Sequence, residues 1–250
     1  MALKPDASGT LRLIGDNTSE LIQLSLGELT NFPLGAWALD GDDTVDGSEA
    51  SELILGNEGE DFLAGFAGND SLFGGKGRDA LDGVDGNDCL SGGLDADFLS
   101  GGGGDDILFG GRGNDFLSGG GGDSTLVGGL GRDYLMCVDN NLCVLGIDPA
   151  TTDINSSDAI VFFDPDGDRI GLASGLTVND IVLEPVENVS FTYRFDLPPA
   201  LQPVLPNLVS ISELASGTLI RVRNSNAILG FVQYVTPNEL QSSIVSVQGF

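Results

Sequence analysis

Acidic residues recur at a nine-residue spacing through the middle of this 250-residue chain, and they are the side chains best suited to chemistry. From Ala38 to Met136 the sequence divides into eleven consecutive blocks of nine residues. The sixth position of a block is Asp in nine of the eleven: Asp43, Asp61, Asp70, Asp79, Asp88, Asp97, Asp106, Asp115 and Asp133. Carboxylates and backbone carbonyls are the hard oxygen ligands that Ca²⁺ takes in proteins. The repeated acids therefore predict a series of cation-binding turns.

The other recurrent positions describe the elements that must hold these acids. Position 1 is Gly in ten blocks and position 4 is Gly in nine. Glycine permits positive φ and leaves backbone carbonyls uncovered, so positions 1 to 6 are predicted to form a turn. Position 8 is aliphatic in all eleven blocks, which predicts a three-residue strand over positions 7 to 9 with position 8 facing the interior. A flexible glycine-rich linker would give no reason for a nine-residue phase.

The repeated block resembles the RTX (haemolysin-type) calcium-binding nonapeptide G-G-x-G-x-D-x-U-x. The resemblance implies an all-β protein built on a calcium-loaded parallel β-roll, a right-handed solenoid with two nonapeptides per coil and calcium between the turns. The expected organisation is an N-terminal cap over residues 1–37, the roll over 38–136, and a mostly β C-terminal capping and secretion region over 137–250.

Two nonapeptides per coil would place turns of the same side eighteen residues apart, so the position-6 residues would form two ladders. The first ladder would contain Asp43, Asp61, Asp79, Asp97, Asp115 and Asp133, and the second would contain Glu52, Asp70, Asp88, Asp106 and Ser124. Backbone ligands are expected from the position-4 glycines, namely Gly59, Gly68, Gly77, Gly86, Gly104 and Gly113. Sites beside Ala50, Glu52 or Ser124 are expected to be weak or empty, because each departs from the repeat.

The charge of the repeat block predicts that the ions are structural. Residues 38–136 contain 21 acids and 4 bases, a net charge of −17 that opposes compaction. Ordering a chain of this length costs on the order of 100–200 kcal/mol of conformational entropy, which eleven buried aliphatic side chains offset only in part. We therefore expect the roll to unfold without divalent ions, because the free energy of metal binding is here also free energy of folding.

Composition excludes several classes of function. The chain has 38 acidic and 10 basic residues, a net charge of −28, so nucleic acids and anionic membrane surfaces are not expected partners. It has no histidine, which excludes Ser-His-Asp chemistry and His-ligated zinc. We expect no enzyme activity, because rolls attached to hydrolases or epimerases follow a large catalytic domain and only 37 residues precede this one. An accessory module of such an enzyme is the less favoured alternative.

The flanking regions give weaker signals. The N-terminus has no uninterrupted apolar run, so neither a cleaved signal peptide nor a membrane span is expected. Residues 137–250 loosely resemble the segments that follow such repeats, which implies a C-terminal (type I) secretion signal and an extracellular or cell-surface location. Thr236 and Glu239 predict a capped helix. Asp164, Asp166 and Asp168 are interpreted as a turn, with a calcium loop as the alternative, and the sequence leaves a Cys137–Cys143 disulfide open.

Two rows of side chains are predicted on the outside of the roll. Position 7 of the odd blocks would stack as Thr44, Phe62, Ala80, Phe98, Phe116 and Tyr134, and position 9 of the even blocks as Leu55, Phe73, Ser91, Phe109 and Val127. Such stripes are expected to be covered, either by residues 137–250 folding back across a sheet or through self-association or a cell-surface partner. The function expected is a secreted, non-enzymatic calcium-binding protein. The alternative is a surface-layer, adhesion or matrix component.

Overall fold

The computed structural model describes residues 4–5, 13–25, 35–145, 157–173, 176–194, 210–223 and 227–247. These residues are almost entirely β, with one short helix, α1 (Pro237–Leu240), and one 3-10 helix (Val178–Asp180). The predicted cap is present on α1, because the Thr236 side chain accepts from the backbone N–H of Glu239. Within the described ranges, helices fall well short of the length and apolar character needed to cross a membrane.

The strands, numbered in chain order, form two sheets of eleven strands each. The first sheet contains β1 (Lys4–Pro5), β2 (Leu13–Ile14), β4 (Ala36–Asp40), β6 (Leu53–Glu58), β8 (Ser71–Lys76), β10 (Cys89–Leu94), β12 (Ile107–Arg112), β14 (Thr125–Leu130), β16 (Leu142–Leu145), β18 (Arg169–Leu172) and β22 (Ile244–Ser246). The second contains β3 (Leu21–Gln23), β5 (Thr44–Ser48), β7 (Phe62–Ala67), β9 (Ala80–Asp85), β11 (Phe98–Gly103), β13 (Phe116–Gly121), β15 (Tyr134–Met136), β17 (Asp158–Val161), β21 (Ile228–Gln233), β20 (Ser210–Val222) and β19 (Ile181–Arg194). The chain alternates between the sheets through the repeats, as a parallel β-roll requires.

The register confirms two nonapeptides per coil. Leu90 pairs with Leu108 in the first sheet, and Leu99 pairs with Leu117 in the second, a step of eighteen residues in each. All eleven position-8 side chains are buried in one continuous core, as predicted: Val45, Ile54, Leu63, Leu72, Leu81, Leu90, Leu99, Leu108, Leu117, Leu126 and Leu135. Burying such side chains contributes roughly 1.5–3 kcal/mol each, so this column is the main apolar support of the coils.

The strands are longer than the sequence predicted. Each typical strand has six residues, because the strand continues through positions 1 to 3 of the next block. The pairing between neighbouring strands is interrupted at position 1 and resumes at position 2, where Gly93 pairs with Gly111. Position 2 has positive φ in every block except that of Ser48, and a Cβ at Gly102 would overlap the carbonyl oxygen of Val84 in the preceding coil. The predicted turn is therefore confined to positions 4 to 6.

Both sheets continue beyond the repeats. Toward the N-terminus, β2 pairs with β4 and β3 pairs with β5, and toward the C-terminus β16, β17, β18, β21 and β22 extend the same two sheets. Their apolar side chains join the core of the roll, among them Ile22, Ile160 and Ile170. Cys137 and Cys143 form a disulfide, which the sequence had left open.

The outer stripe of the second sheet stacks as predicted. The rings of Phe98 and Phe116 are parallel with centroids 4.8 Å apart, and Tyr134 stacks on Phe116 at 5.4 Å. Phe116 and Tyr134 are buried in an apolar cluster with Phe231 of β21. The prediction that residues 137–250 cover an outer stripe is supported at the C-terminal end of the roll, where Ala159, Leu219 and Phe231 pack with Phe116 and Tyr134. These covering residues belong to β17, β20 and β21, which continue the second sheet from its edge.

Candidate metal centre

The position-6 aspartates are held in a fixed orientation by the backbone of the neighbouring coil. The backbone N–H of Asp61 donates to Oδ1 of Asp79 at 3.0 Å, and that of Asp97 donates to Oδ1 of Asp115 at 2.9 Å. The same bond connects Asp70 to Asp88 in the second ladder, at 2.8 Å. One oxygen of each carboxylate is thus committed to the backbone, and this sets the direction of the other.

The second oxygen of each aspartate is buried without a hydrogen-bond partner in the described part of the chain. This holds for Oδ2 of Asp43, Asp61, Asp70, Asp79, Asp88, Asp97, Asp106, Asp115 and Asp133. An unpaired buried carboxylate is strongly unfavourable, so its pKa rises to disfavour the charged form. Burial, reinforced by neighbouring carboxylates, raises the pKa of Asp97 to about 9 and that of Asp79 to about 8. The two ladders therefore present oxygen atoms that lack a counter-charge.

The position-1 glycines have no side chain, and this keeps open the space into which these oxygens point. A Cβ at Gly56 would overlap Oδ2 of Asp61 and would lie 2.7 Å from the carbonyl oxygen of Gly74. The same overlap with the carboxylate of the block recurs at Gly92, which faces Asp97. Position-1 carbonyls are therefore further candidate ligands, which the sequence interpretation did not include: Gly74, Gly83, Gly101, Gly119 and Gly128.

The position-4 glycines named from the sequence lie in the tightly stacked part of the turns. A Cβ at Gly86 would overlap the carbonyl oxygen of Gly68 and would lie 3.3 Å from Oδ1 of Asp88. Corresponding overlaps with the carbonyl one coil earlier occur at Gly77, Gly104 and Gly113. Asp95 occupies this position in its block with φ of 75°, a conformation that Asp tolerates better than most residues.

The second ladder departs from this geometry at both ends. Both carboxylate oxygens of Glu52 accept hydrogen bonds from Ser48, one from its backbone N–H at 3.1 Å and one from its hydroxyl. Ser124 offers only a hydroxyl, which accepts from the backbone N–H of Asp106 at 3.1 Å. The amide nitrogen of Asn141 lies 2.7 Å from the place where a Cβ of Gly119 would be, in the space that carboxylate oxygens fill elsewhere. These features support the prediction that sites beside Glu52 and Ser124 are weak.

The ladders also extend past the eleven nonapeptides. The backbone N–H of Asp133 donates to Oδ1 of Asp158 at 2.9 Å, and that of Asn141 donates to Oδ1 of Asp168 at 2.8 Å. The period of the repeat does not reveal these members, because they do not lie eighteen residues from their partners. The available signal was an acid or amide two residues before a buried apolar side chain, as Asp158 stands before Ile160.

The Asp164–Asp168 segment is a turn between β17 and β18. Asp168 accepts the backbone N–H of Asn141 with one oxygen and that of Asp164 with the other, at 2.7 Å. Asp166 donates its backbone N–H to Oδ1 of Asp164 at 3.0 Å. The interpretation of this segment as a turn is therefore confirmed, with both Asp168 oxygens already used.

The donor set fits calcium. Within the described ranges, no three Cys, Asp or Glu side chains converge on one point, so a cation would take many of its ligands from backbone carbonyls. A mixture of carboxylate and carbonyl oxygens is the ligand set of Ca²⁺, whereas zinc and the softer transition metals favour nitrogen and sulfur.

Comparison with known proteins identifies the repeats. A family model described as the RTX calcium-binding nonapeptide repeat matches four copies, at residues 46–81, 64–99, 82–117 and 100–135. A comparison with curated proteins finds no match. Among solved structures, the chain is similar to the AlgE6R3 subunit from the Azotobacter vinelandii mannuronan C5-epimerase, with 20% identity over 82% of this chain and 77% of that one and a TM-score of 0.19. The matched repeats and the stacked aspartate turns together identify residues 46–135 as RTX calcium-binding nonapeptide repeats that fold as a parallel β-roll.

Proposed function

We propose that this chain is a secreted, non-enzymatic scaffold whose roll folds when it binds calcium outside the cell. The observation that carries the proposal is the set of nine buried Asp Oδ2 atoms without a partner in the described part of the chain. Without a cation these oxygens destabilise the folded roll, while in the unfolded chain water would solvate them. Calcium therefore stabilises the folded state selectively, and its binding energy contributes directly to folding.

Coupling between calcium and folding supports the proposed extracellular or cell-surface location. A cell that keeps its free calcium low would hold the chain unfolded before export through a C-terminal (type I) secretion signal. The higher calcium outside would then drive folding. The acidic repeat block, with its net charge of −17, would oppose premature compaction in the same way.

Circular dichroism of the full chain in excess EGTA, and then in excess calcium, tests this proposal. We expect the strand signal to be absent in EGTA and to appear with calcium. Magnesium is the matched control, and it should not restore the signal because it requires a smaller octahedral site and loses its water reluctantly. A calcium-free chain with full strand signal and a cooperative thermal transition would rule out calcium-driven folding.

An adhesion, surface-layer or matrix role is the second candidate, and the outer face of the first sheet favours it. Phe73 of β8 is 38% exposed and Ile107 of β12 is 44% exposed on that face, with β10 between the two strands. Exposed apolar side chains that lie close together on one face are typical of interaction surfaces. Retention of the chain on intact cells in calcium, lost in chelator and reduced by a Phe73→Ser, Ile107→Ser double variant, would support this role. Equal retention of the double variant would exclude this face.

A further inference from the structure

The segment Gly15–Gln23, which lies before the repeats, folds as a further turn and strand of the roll. Gly15, Glu20 and Ile22 occupy the places of positions 1, 6 and 8 of a nonapeptide. Ile22 is buried in the core of the roll and pairs with Val45, as each position-8 residue pairs with the next. The segment lies outside the residues that the family model matches.

Hydrogen bonds between this segment and the first repeat turn are the same as those between repeat turns. The backbone N–H of Glu20 donates to Oδ1 of Asp43 at 2.8 Å, just as that of Asp43 donates to Oδ1 of Asp61 at 2.8 Å. The backbone N–H of Thr44 donates to the carbonyl of Glu20 at 2.8 Å, and that of Phe62 to the carbonyl of Asp43 at the same distance. Glu20 thus occupies the next step of the first aspartate ladder, twenty-three residues before Asp43 rather than eighteen.

Two carboxylate oxygens at this step are buried and unsatisfied. Glu20 is 8% exposed and Asp43 is 1% exposed, and neither Oε1 of Glu20 nor Oδ2 of Asp43 has a partner among the described residues. The other oxygen of Glu20 accepts the backbone N–H of Asp16 at 3.3 Å. Two buried carboxylates on adjacent turns repel each other unless a cation lies between them.

A backbone carbonyl faces the same space. A Cβ at Gly15 would lie 2.5 Å from Oε2 of Glu20 and 2.5 Å from the carbonyl oxygen of Ala38. In the repeats, Gly56 leaves the corresponding space open between Asp61 and the carbonyl of Gly74. The first turn therefore places a carbonyl oxygen beside the Glu20 carboxylate, as the repeat turns place one beside that of Asp61. At Glu20 the nearest oxygen is Oε2, which is bonded to Asp16, and Oε1 is the oxygen left without a partner among the described residues.

We infer that Glu20 and Asp43 form an additional calcium site, with the Ala38 carbonyl, at the N-terminal end of the roll and outside its nonapeptide repeats. This site would make the docking of residues 13–25 onto the roll dependent on calcium. It goes beyond the proposed function, which requires only the sites of the repeats.

The single tryptophan of the chain offers a local readout. Trp37 immediately precedes Ala38, and its carbonyl accepts the backbone N–H of Gly15 at 2.8 Å. Terbium is an oxygen-seeking ion that replaces calcium and emits when a nearby tryptophan is excited. Selective excitation of Trp37 should therefore report on this end of the roll rather than on the turns far along it.

The experiment compares the full-length chain with its Glu20→Gln variant, by native mass spectrometry in calcium and by Trp37-sensitised terbium emission. We expect Glu20→Gln to bind one ion fewer per chain and to lose most of the sensitised emission, while its strand signal in calcium is retained. Glu49→Gln is the matched control, because Glu49 is an exposed acid of the second nonapeptide block. This variant should keep both the full ion count and the sensitised emission. A Glu20→Gln chain with the full ion count and emission would overturn the site.

A second variant keeps the test decisive if Glu20→Gln does not fold. Glu20→Asp introduces the residue that the repeat turns carry, so it should retain the full ion count and the terbium emission. A folded Glu20→Asp chain that lacks both would also overturn the inference. These outcomes differ from failure of the proposed function, in which the unaltered chain would fold without calcium.

Discussion

The backbone N–H of Asp79 donates to Oδ1 of Asp97 at 2.9 Å, and Oδ2 of each carboxylate is buried without a partner in the described part of the chain. The backbone therefore fixes how each carboxylate is oriented, but it does not neutralise the charge. Neighbouring strands in a sheet lie roughly 4.8 Å apart, so carboxylates on successive turns repel each other strongly in a buried environment. The fold acts as a frame that holds like charges in place for a cation.

Neutralising Asp97 should raise the calcium concentration at which the chain folds. Asp97 lies between two expected sites of the first ladder, shared with Asp79 and Asp115. We expect Asp97→Asn to raise the calcium midpoint of folding about tenfold, which corresponds to roughly 1.4 kcal/mol. The measurement is a calcium titration followed by circular dichroism in a calcium buffer.

Glu52→Gln is the control for this experiment, because it also replaces an acid of a ladder by its amide. Both oxygens of Glu52 already accept hydrogen bonds from Ser48, so Glu52 has little capacity left to bind a cation. We expect its calcium midpoint to stay close to that of the unaltered chain. Equal shifts for the two variants would contradict the assignment of Asp97 to well-formed sites.

Stability without calcium should fall as pH rises. Burial raises the pKa of Asp43 and Asp106 to about 6, that of Asp61 to about 7 and that of Asp97 to about 9. An unfolded Asp has a pKa of about 3.9, so the folded chain binds protons more tightly. The resulting stabilisation is fully present below about pH 4 and is lost progressively as the pH rises through about 6 to 9.

Calcium should reverse this dependence, because the ion must displace the protons from the same carboxylates. Without calcium, the strand signal should therefore be greatest at acidic pH, whereas the calcium concentration at the midpoint of folding should fall as the pH rises. The stability of the Asp97→Asn chain without calcium should depend less on pH at the alkaline end, since this chain lacks the carboxyl with the pKa of about 9. Stability in chelator that increases with pH would disprove this prediction.

The repeat could be predicted from the sequence because each of its positions has a single physical task. Position 8 fills the interior, as Leu99 does, and position 6 bonds to the next coil, as Asp97 does. Both tasks depend on residue type and constant spacing, which predict the nine-residue unit. The two ladders and the eighteen-residue register came from the resemblance to the RTX nonapeptide, which implies two blocks per coil. The departure of Glu52 from the repeat led to the prediction of a weak site there, and its hydrogen bonds to Ser48 give a physical reason for that prediction.

The rest of the ladders could not be predicted, because loops of unequal length separate their members. Glu20 precedes Asp43 by 23 residues, and Asp158 follows Asp133 by 25, so a search for a nine-residue period passes over both. Strand length was underestimated for a different reason. Glycine-rich positions 1 to 3 indicate a turn by composition, whereas pairing with both neighbouring coils keeps them within the strand, as Gly93 shows.

Position 2 offers a substitution that should stabilise the roll. Val84 occupies this position with φ of 76°, a left-handed conformation that is unfavourable for a β-branched residue. Its partner one coil later is Gly102, and glycine also stands at this position in the following blocks, as at Gly111. Relief of left-handed strain is worth roughly 1–2 kcal/mol, and the greater freedom of glycine in the unfolded chain costs roughly 0.5–1 kcal/mol.

We therefore expect Val84→Gly to stabilise the calcium-loaded chain by about 0.5–1 kcal/mol, measured by guanidinium unfolding in saturating calcium. The reciprocal change, Gly102→Val, is the control, because its Cβ would overlap the carbonyl oxygen of Val84 and its φ is also positive. It should destabilise the chain and raise the calcium midpoint. Since neither residue supplies a carboxylate, the number of bound ions should stay the same in both folded variants. A Val84→Gly chain less stable than the unaltered one would show that the side chain contributes more by packing than its backbone strain costs.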